Sequence, residues 1–253
     1  MQSIRNPLAI LTLCFVLAGC GDGGGGDSVA GSTDTKRADA PDTHAPGSIG
    51  GCIEPGKNVK AETFPSPNGD LKGALIGSGS TGIVFANQSG NDLCQWQDYV
   101  RGLPPDEVTS ALFAYDEVAS EEEVRAVAEA LRKAGAKRVI AVGASLGGRA
   151  VVELAADPES GVDAVVSLSG ERMASSDGPA DLLPFANRAT IPVLYVSASG
   201  DGLTTFAKDT RQLYAAGKEV DGTDLIVTDG KKHGTALLQL PEIRAAVQKV
   251  IDG

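Results

Sequence analysis

Short apolar runs alternate with amphipathic stretches along most of the chain, from about residue 61 to the C-terminus. The apolar runs are rich in Val, Ile and Ala. Several of them lack the period-two alternation of a strand with one solvated face, so they are typical of strands buried on both faces. Strands are predicted at 72–77, 82–86, 110–115, 138–142, 163–167, 192–197 and 223–228.

Between these runs the pattern changes to helical periodicity. Ser120 and Glu123 fit a capping box, apolar residues follow at helical spacing, and Gly135 ends that segment. Three more helices are predicted at 146–156, 201–216 and 241–251. This alternation predicts an α/β fold with a mainly parallel sheet and helices on both faces, whose chemistry lies at the carboxyl ends of the strands.

The N-terminus has a different character from the rest of the chain. Residues 1–19 carry Arg5 as their only charge, and the apolar run at 8–18 has the length of a signal sequence but is too short to span a bilayer. The segment Leu-Ala-Gly-Cys that ends at Cys20 resembles a bacterial lipobox. The resemblance implies cleavage before Cys20 and lipidation of its sulfur, which would anchor the protein to a membrane. The alternative is a plain secretory signal that ends near a cysteine.

Residues 20–51 are rich in Gly and almost free of large apolar side chains, which predicts a flexible tether. The predicted organisation is therefore a signal peptide at 1–19, the tether at 20–51 and one folded domain at 52–253. The protein is expected in the bacterial cell envelope, facing the periplasm or the exterior. In that oxidising compartment Cys52 and Cys94 are expected to form a disulfide, the alternative being two buried free thiols.

Charge and histidine content exclude several function classes. Acidic residues outnumber basic ones by 33 to 22, for a net charge of −11, which disfavours binding to a nucleic-acid backbone. The two histidines are His44, in the predicted tether, and His233, in the predicted domain. This scarcity excludes a multi-histidine metal site. With no CxxC pair either, we expect neither metal nor cofactor, and we expect a monomer.

A nucleophile motif stands between one predicted strand and the next helix. Residues 143–147 read Gly-Ala-Ser-Leu-Gly and match G-x-S-x-G, centred on Ser145. An apolar strand leads into the motif and a helical pattern leaves it, which is the context in which a serine projects from a sharp turn above a sheet. An ordinary glycine-rich turn or phosphate loop is the alternative, but the chain has no G-x-x-x-x-G-K-[ST] segment.

On these residues the chain resembles the α/β-hydrolase superfamily over about residues 70–253, in particular its small dienelactone-hydrolase-like and esterase members. The resemblance implies a triad in the order serine, acid, histidine. His233 follows the last predicted strand and is the candidate base, and Asp201 follows the strand before it and is the candidate acid. Glu171 and Asp229 are the alternative acids, and Asp201 could instead cap the helix that follows it.

The resemblance also implies an oxyanion hole made of two backbone N–H groups. One is expected from Leu146. The other is expected from the loop after the strand at 82–86, either from Gln88 or from Ser89, because Asn-Gln stands here where members of the superfamily often carry His-Gly. Trp96, the only tryptophan, lies in the next segment; packing in the core or at its rim is favoured over a place in the cleft.

The function expected from these features is that of a membrane-tethered serine hydrolase. The 24 residues at 168–191 leave little room for a large cap domain. Small carboxylic esters or lactones are therefore the expected substrates. Two alternatives stay open at this stage: a peptidase or amidase with the same triad, and an envelope binding protein that keeps the fold without turnover.

Overall fold

The apolar runs pair into one mixed sheet in the computed structural model, which describes residues 48–88, 92–115, 120–173 and 181–253. The sheet has eight strands in the order β1-β2-β4-β3-β5-β6-β7-β8. β1 and β2 are antiparallel to their neighbours, and the remaining strands pair in parallel. The strands are β1 (Val59–Ser66), β2 (Gly69–Gly77), β3 (Thr81–Ala86), β4 (Val108–Phe113), β5 (Arg138–Ala144), β6 (Ala164–Leu168), β7 (Val193–Ala198) and β8 (Asp224–Thr228).

The central strands separate two hydrophobic cores, as their continuous apolar sequences predict. β6 and β7 are buried at every position. Along β5, Ile140 and Val142 pack into one core, whereas Val139 and Ala141 pack into the other. The predicted α/β-hydrolase architecture, a mainly parallel sheet with helices on both faces, is confirmed.

The helices lie where the periodicity predicts them, with shorter ones added in the connections. They are α1 (Gln97–Val100), α2 (Glu121–Lys133), α3 (Leu146–Leu154), α4 (Leu183–Asn187), α5 (Thr205–Gly217) and α6 (Pro241–Asp252), with 3-10 turns at Leu93–Trp96, Asp201–Thr204 and Gly234–Gln239. The capping box of α2 forms, because the Ser120 hydroxyl accepts a hydrogen bond from the Glu123 amide at 3.2 Å.

Three differences from the sequence-based prediction have a local physical cause, besides shifts of one to three residues at the ends of other elements. β1 was not predicted, because its sequence VKAETFPS mixes polar residues with Pro65 and buries only Phe64, which suits a sheet edge. β4 begins two residues before the predicted 110, since β2 and β3 both pair with it at Thr109. The helix predicted at 201–216 begins as an α-helix only at Thr205, because Asp201 opens a 3-10 turn and its carboxylate has other partners.

The predicted disulfide is confirmed. Cys52 and Cys94 are bonded, with their Cα atoms 5.8 Å apart. The bond joins the start of the domain to the 3-10 turn Leu93–Trp96 that follows β3. Closing a loop of 42 residues is worth roughly 3–4 kcal/mol when estimated from chain entropy.

The predicted signal peptide, Cys20, His44 and all but the last residues of the predicted tether lie outside the described residues. Within the described ranges, no helix combines the length and the apolar character needed to cross a bilayer. The carboxyl ends of β3, β5, β6, β7 and β8 share one edge of the sheet, because these strands run parallel. The loops after these ends carry the candidate site.

Candidate active site

Ser145 occupies a sharp turn between β5 and α3. Its backbone lies in the left-handed region, with φ 50° and ψ −111°, although serine has a side chain that disfavours this region. Its amide donates to the Leu168 carbonyl at 2.8 Å, which ties the turn to the end of β6. A strained conformation held by its surroundings in this way is frequent at functional sites.

Gly143 and Gly147 flank Ser145 because no side chain fits at either position. A Cβ atom at Gly143 would lie 2.1 Å from the Gly147 carbonyl oxygen, and one at Gly147 would lie 2.2 Å from the Ala86 carbonyl oxygen. Both obstacles are backbone atoms, so a rotamer change cannot relieve them. The spacing of the motif therefore follows from the close approach of β5, α3 and β3.

His233 forms a hydrogen-bonded pair with Asp201. The His233 Nδ1 atom lies 2.9 Å from Asp201 Oδ1 and 3.0 Å from Oδ2. The Asp201 side chain is 3% exposed and that of His233 is 34% exposed. The carboxylate is therefore shielded from solvent, whereas the imidazole is partly accessible. A proton on Nδ1 donated to this carboxylate leaves Nε2 as an acceptor.

The loop that carries His233 lies beside the serine turn. Gly234, the next residue, has a left-handed φ of 53°, and a Cβ built on it would be 3.4 Å from the Cβ of Ala144, which precedes Ser145. Phe206 of α5 packs its ring against the imidazole, with the centroids 4.6 Å apart. Of the three candidate acids, Asp201 is the one that the structure places against His233.

The loop after β3 is built around a buried asparagine that the sequence analysis did not single out. Asn87 is fully buried, and its side chain donates to the Phe113 carbonyl at 2.7 Å and accepts from Trp96 Nε1 at 2.9 Å. The main-chain carbonyl of Asn87 accepts a hydrogen bond from the Gly147 amide at 3.1 Å. Trp96 is completely buried against Phe85, so it packs in the core and does not line a cleft.

The predicted oxyanion donors have protein partners in this structure. The Leu146 amide faces the Gln88 carbonyl at 3.4 Å, and the Gln88 amide donates to Gln95 Oε1 at 3.1 Å. Ser89, the alternative second donor, lies outside the described residues. The Gln88 side chain reaches the histidine loop, where its Oε1 accepts from the Thr235 amide at 3.2 Å.

A polar residue that the sequence analysis missed joins these loops. Ser169 follows β6, is fully buried, and has a left-handed φ of 53°. Its hydroxyl donates to Asp201 Oδ2 at 2.6 Å and accepts from the Gly234 amide at 3.1 Å. Its position directly after an apolar strand was visible in the sequence, but no motif identifies a serine there.

A buried charge pair lies on the helix that follows Ser145. Glu153 of α3 is 8% exposed, and its Oε1 is 3.4 Å from Arg149 Nε. Burial raises the pKa of Glu153 to about 7, against the lowering effect of Arg149, and Glu121 raises it further. Because the folded state holds this proton above the ordinary pKa of the group, the stability that Glu153 contributes is complete at low pH and is lost as the pH rises through about 7.

Glu153→Gln is therefore expected to flatten the pH dependence of stability. Between about pH 5 and about pH 8 the wild type should lose up to about 3 kcal/mol of unfolding free energy through this group, at about 1.4 kcal/mol per pKa unit. The glutamine variant should lose much less. Urea unfolding at the two pH values measures the difference, with the exposed Glu159→Gln as control. An equal loss in Glu153→Gln and wild type would contradict the assignment.

Across the described ranges, no group of three or more His, Cys, Asp or Glu side chains is arranged to hold a metal ion. The groups described at the site are a serine hydroxyl, an imidazole hydrogen-bonded to a carboxylate, and backbone amides.

Comparison with solved structures shows which known proteins share this fold. No family model matches the chain, and no curated protein matches it. Among solved structures, it is similar to an esterase from Pyrococcus furiosus, with 14% identity, a TM-score of 0.62, and coverage of 76% of this chain and 90% of that one. A hydrolase from Pseudomonas aeruginosa has 13% identity, a TM-score of 0.60, and coverage of 77% and 98%.

The esterase domain of a Rhodothermus marinus protein is similar to the same extent, with 19% identity, a TM-score of 0.58, and coverage of 76% of this chain and 95% of that domain. At these identities the likeness is one of fold.

Proposed function

We propose that this chain, which has the α/β-hydrolase fold, is a serine hydrolase that cleaves small carboxylic esters or lactones. The observation that carries the proposal is the buried Asp201 carboxylate bonded to His233 Nδ1, on a loop packed beside the left-handed turn of Ser145. An imidazole bonded to a buried carboxylate, beside a serine on a strained turn, supplies the components of nucleophilic acyl transfer.

In the proposed reaction the Ser145 hydroxyl attacks the ester carbonyl carbon and His233 Nε2 takes its proton. The tetrahedral intermediate collapses, the C–O bond to the leaving alcohol breaks, and that alcohol takes the proton back from His233. A water molecule then attacks the acyl-enzyme and gives its proton to the same nitrogen. Ser145 recovers a proton when the acid leaves. Asp201 stabilises the charged imidazole in both halves of the reaction.

The negative charge that develops on the substrate oxygen needs N–H donors. The Leu146 amide and one amide of the loop after β3, from Gln88 or Ser89, are the proposed pair. In the structure the Leu146 and Gln88 amides contact neutral oxygens, at 3.4 and 3.1 Å, and the Leu146 contact is long. Hydrogen bonds to a charged oxygen are stronger, so an oxyanion would compete favourably for these donors.

The architecture around the site supports small substrates. Between β6 and β7 the described chain adds only α4, a helix of five residues, which disfavours a large cap. The esterases among the similar structures support ester cleavage over other acyl transfer reactions.

We further propose that the protein is lipid-anchored in the cell envelope, through Cys20. The lipobox-like segment and the Gly-rich sequence that follows it support this location. The Cys52–Cys94 disulfide also fits a compartment outside the reducing cytoplasm.

One experiment addresses reaction and location together. The full chain and its Cys20→Ser variant are expressed in a bacterial host, and membrane and soluble fractions are assayed with p-nitrophenyl esters of increasing acyl length and with p-nitroanilides. We expect short esters to be cleaved much faster than anilides, with the wild-type activity in the membrane fraction and the Cys20→Ser activity released from it. Faster cleavage of anilides would indicate a peptidase or amidase. Equal partitioning of the two chains would contradict lipid anchoring.

A further inference from the structure

The turn after β6 contacts all three elements of the proposed site. The Leu168 carbonyl accepts from the Ser145 amide at 2.8 Å, and the Ser169 amide donates to the Val196 carbonyl of β7 at 2.7 Å. The Ser169 hydroxyl donates to Asp201 Oδ2 and accepts from the Gly234 amide. Two consecutive residues therefore connect the serine turn, the acid and the histidine loop.

The hydroxyl is well suited to this position, because it is both a donor and an acceptor. It donates to one carboxylate oxygen of Asp201, with 2.6 Å between Oγ and Oδ2, the short distance expected of a hydroxyl bonded to a charged group. This contact fixes the rotation of the carboxylate while His233 Nδ1 approaches the same group. The oxygen of the hydroxyl holds the Gly234 amide and thereby the backbone that carries the imidazole.

The backbone of Ser169 also points to a specific role. A left-handed φ is unfavourable for serine, yet Ser169 keeps one at 53° while fully buried. Glycine would adopt this φ without strain. A hydroxyl with two buried partners, Asp201 and Gly234, accounts for a serine at a position whose backbone favours glycine.

We propose that Ser169 is a positioning residue, whose hydroxyl orients the Asp201 carboxylate and fixes the His233 loop relative to it. This inference rests on the proposed function, in which His233 is the base. Ser169 touches no reacting atom in this role. It acts through Asp201 and through the backbone of Gly234.

The test uses Ser169→Gly, which removes the hydroxyl and relieves the backbone. Ser197→Ala is the matched control. Ser197 is a fully buried serine on the neighbouring strand β7, and among the described residues its hydroxyl hydrogen-bonds within that strand, to the Ala198 carbonyl at 3.3 Å. Two readouts are compared in the full chain: kcat and KM for p-nitrophenyl acetate, and the ¹⁵N NMR signature of the His233 tautomer in ¹⁵N-histidine-labelled protein. The second does not depend on turnover.

For Ser169→Gly we expect kcat to fall roughly tenfold or more with KM nearly unchanged, because a hydrogen bond to a charged group is lost. We also expect the neutral His233 ring to lose part of its Nδ1–H tautomer, because Nδ1 then faces a carboxylate whose rotation is no longer fixed. Ser197→Ala should match the wild type in both readouts.

An unchanged tautomer signature in Ser169→Gly, or an equal effect in Ser197→Ala, would overturn the proposal and leave Ser169 a packing residue. If the wild type cleaves no ester, the proposed function fails by itself. The tautomer signature then still decides, because a loss of the Nδ1–H form would support the positioning of His233 and an unchanged signature would refute it.

Discussion

Replacing Ser145 by alanine is expected to abolish covalent labelling by a fluorophosphonate and to lower ester turnover roughly ten-thousand-fold or more. The reason is that the hydroxyl is the only proposed group that forms a bond to the substrate carbon. Without it, His233 and the backbone amides retain only the modest acceleration that oriented donors give to attack by water. In-gel fluorescence after labelling and p-nitrophenyl ester hydrolysis measure the two effects.

Ser167→Ala is a suitable control for this variant. Ser167 is a buried serine of β6 whose hydroxyl donates to the Gly148 carbonyl at 2.8 Å, so it lies near the same turn without belonging to the proposed triad. We expect Ser167→Ala to be labelled. Labelling of Ser145→Ala at the wild-type level would show that another residue is the nucleophile, and an unlabelled wild type would contradict the serine-hydrolase proposal as a whole.

The fold was predictable because its signals are local. Continuous apolar runs identify strands that are buried on both faces, and their alternation with helices implies parallel pairing. The turn at Ser145 was predictable for the same reason, since the strand, the motif and the helix are contiguous in sequence. The left-handed φ of 50° at this serine, and the backbone atoms close to Gly143 and Gly147, give the physical basis of that motif.

Several features that depend on contacts between distant segments were not predictable, unlike the Asp201–His233 pair, which the family resemblance implied. The edge strand β1 is recognisable only beside its partner, where Phe64 pairs with Leu71. Asn87 is an ordinary loop residue in the sequence, and only the folded chain brings it to Trp96 and to the Phe113 carbonyl. Ser169 lies 32 residues before Asp201 and 65 before Gly234, so no spacing rule could connect them.

The disulfide was predictable in part. The number of cysteines left in the predicted domain allowed one pairing, and the expected compartment favoured oxidation. The structure adds the contact through which the bond acts on the candidate site. The disulfide holds the 3-10 turn Leu93–Trp96, whose Gln95 side chain accepts from the Gln88 amide. The bond therefore stiffens the loop that is proposed to supply an oxyanion donor.

Gly147→Ala is expected to destabilise the fold by about 3 kcal/mol or more and to inactivate whatever protein still folds. The added Cβ would lie 2.2 Å from the Ala86 carbonyl oxygen, 2.5 Å from its carbon and 2.7 Å from the Asn87 carbonyl oxygen. Either α3 must move away from β3 or the end of β3 must shift, and overpacking a core costs about 1–3 kcal/mol even when side chains can adapt. Here the obstacle is backbone, so the cost should reach or exceed the upper part of that range.

The same shift should disturb catalysis, because Gly147 follows Leu146 and contacts the loop that carries Gln88. A displacement of about 1 Å at such a site can lower the rate roughly a hundredfold. Gly56→Ala is the control, since a Cβ there meets only Val59 Cγ2 at 3.9 Å, an ordinary contact, and we expect nearly wild-type stability and turnover. Urea unfolding and ester hydrolysis measure both variants. A Gly147→Ala protein as stable and as active as Gly56→Ala would mean that β3 and α3 do not approach each other as closely as the structure places them, and the geometric basis of the serine turn would fail with it.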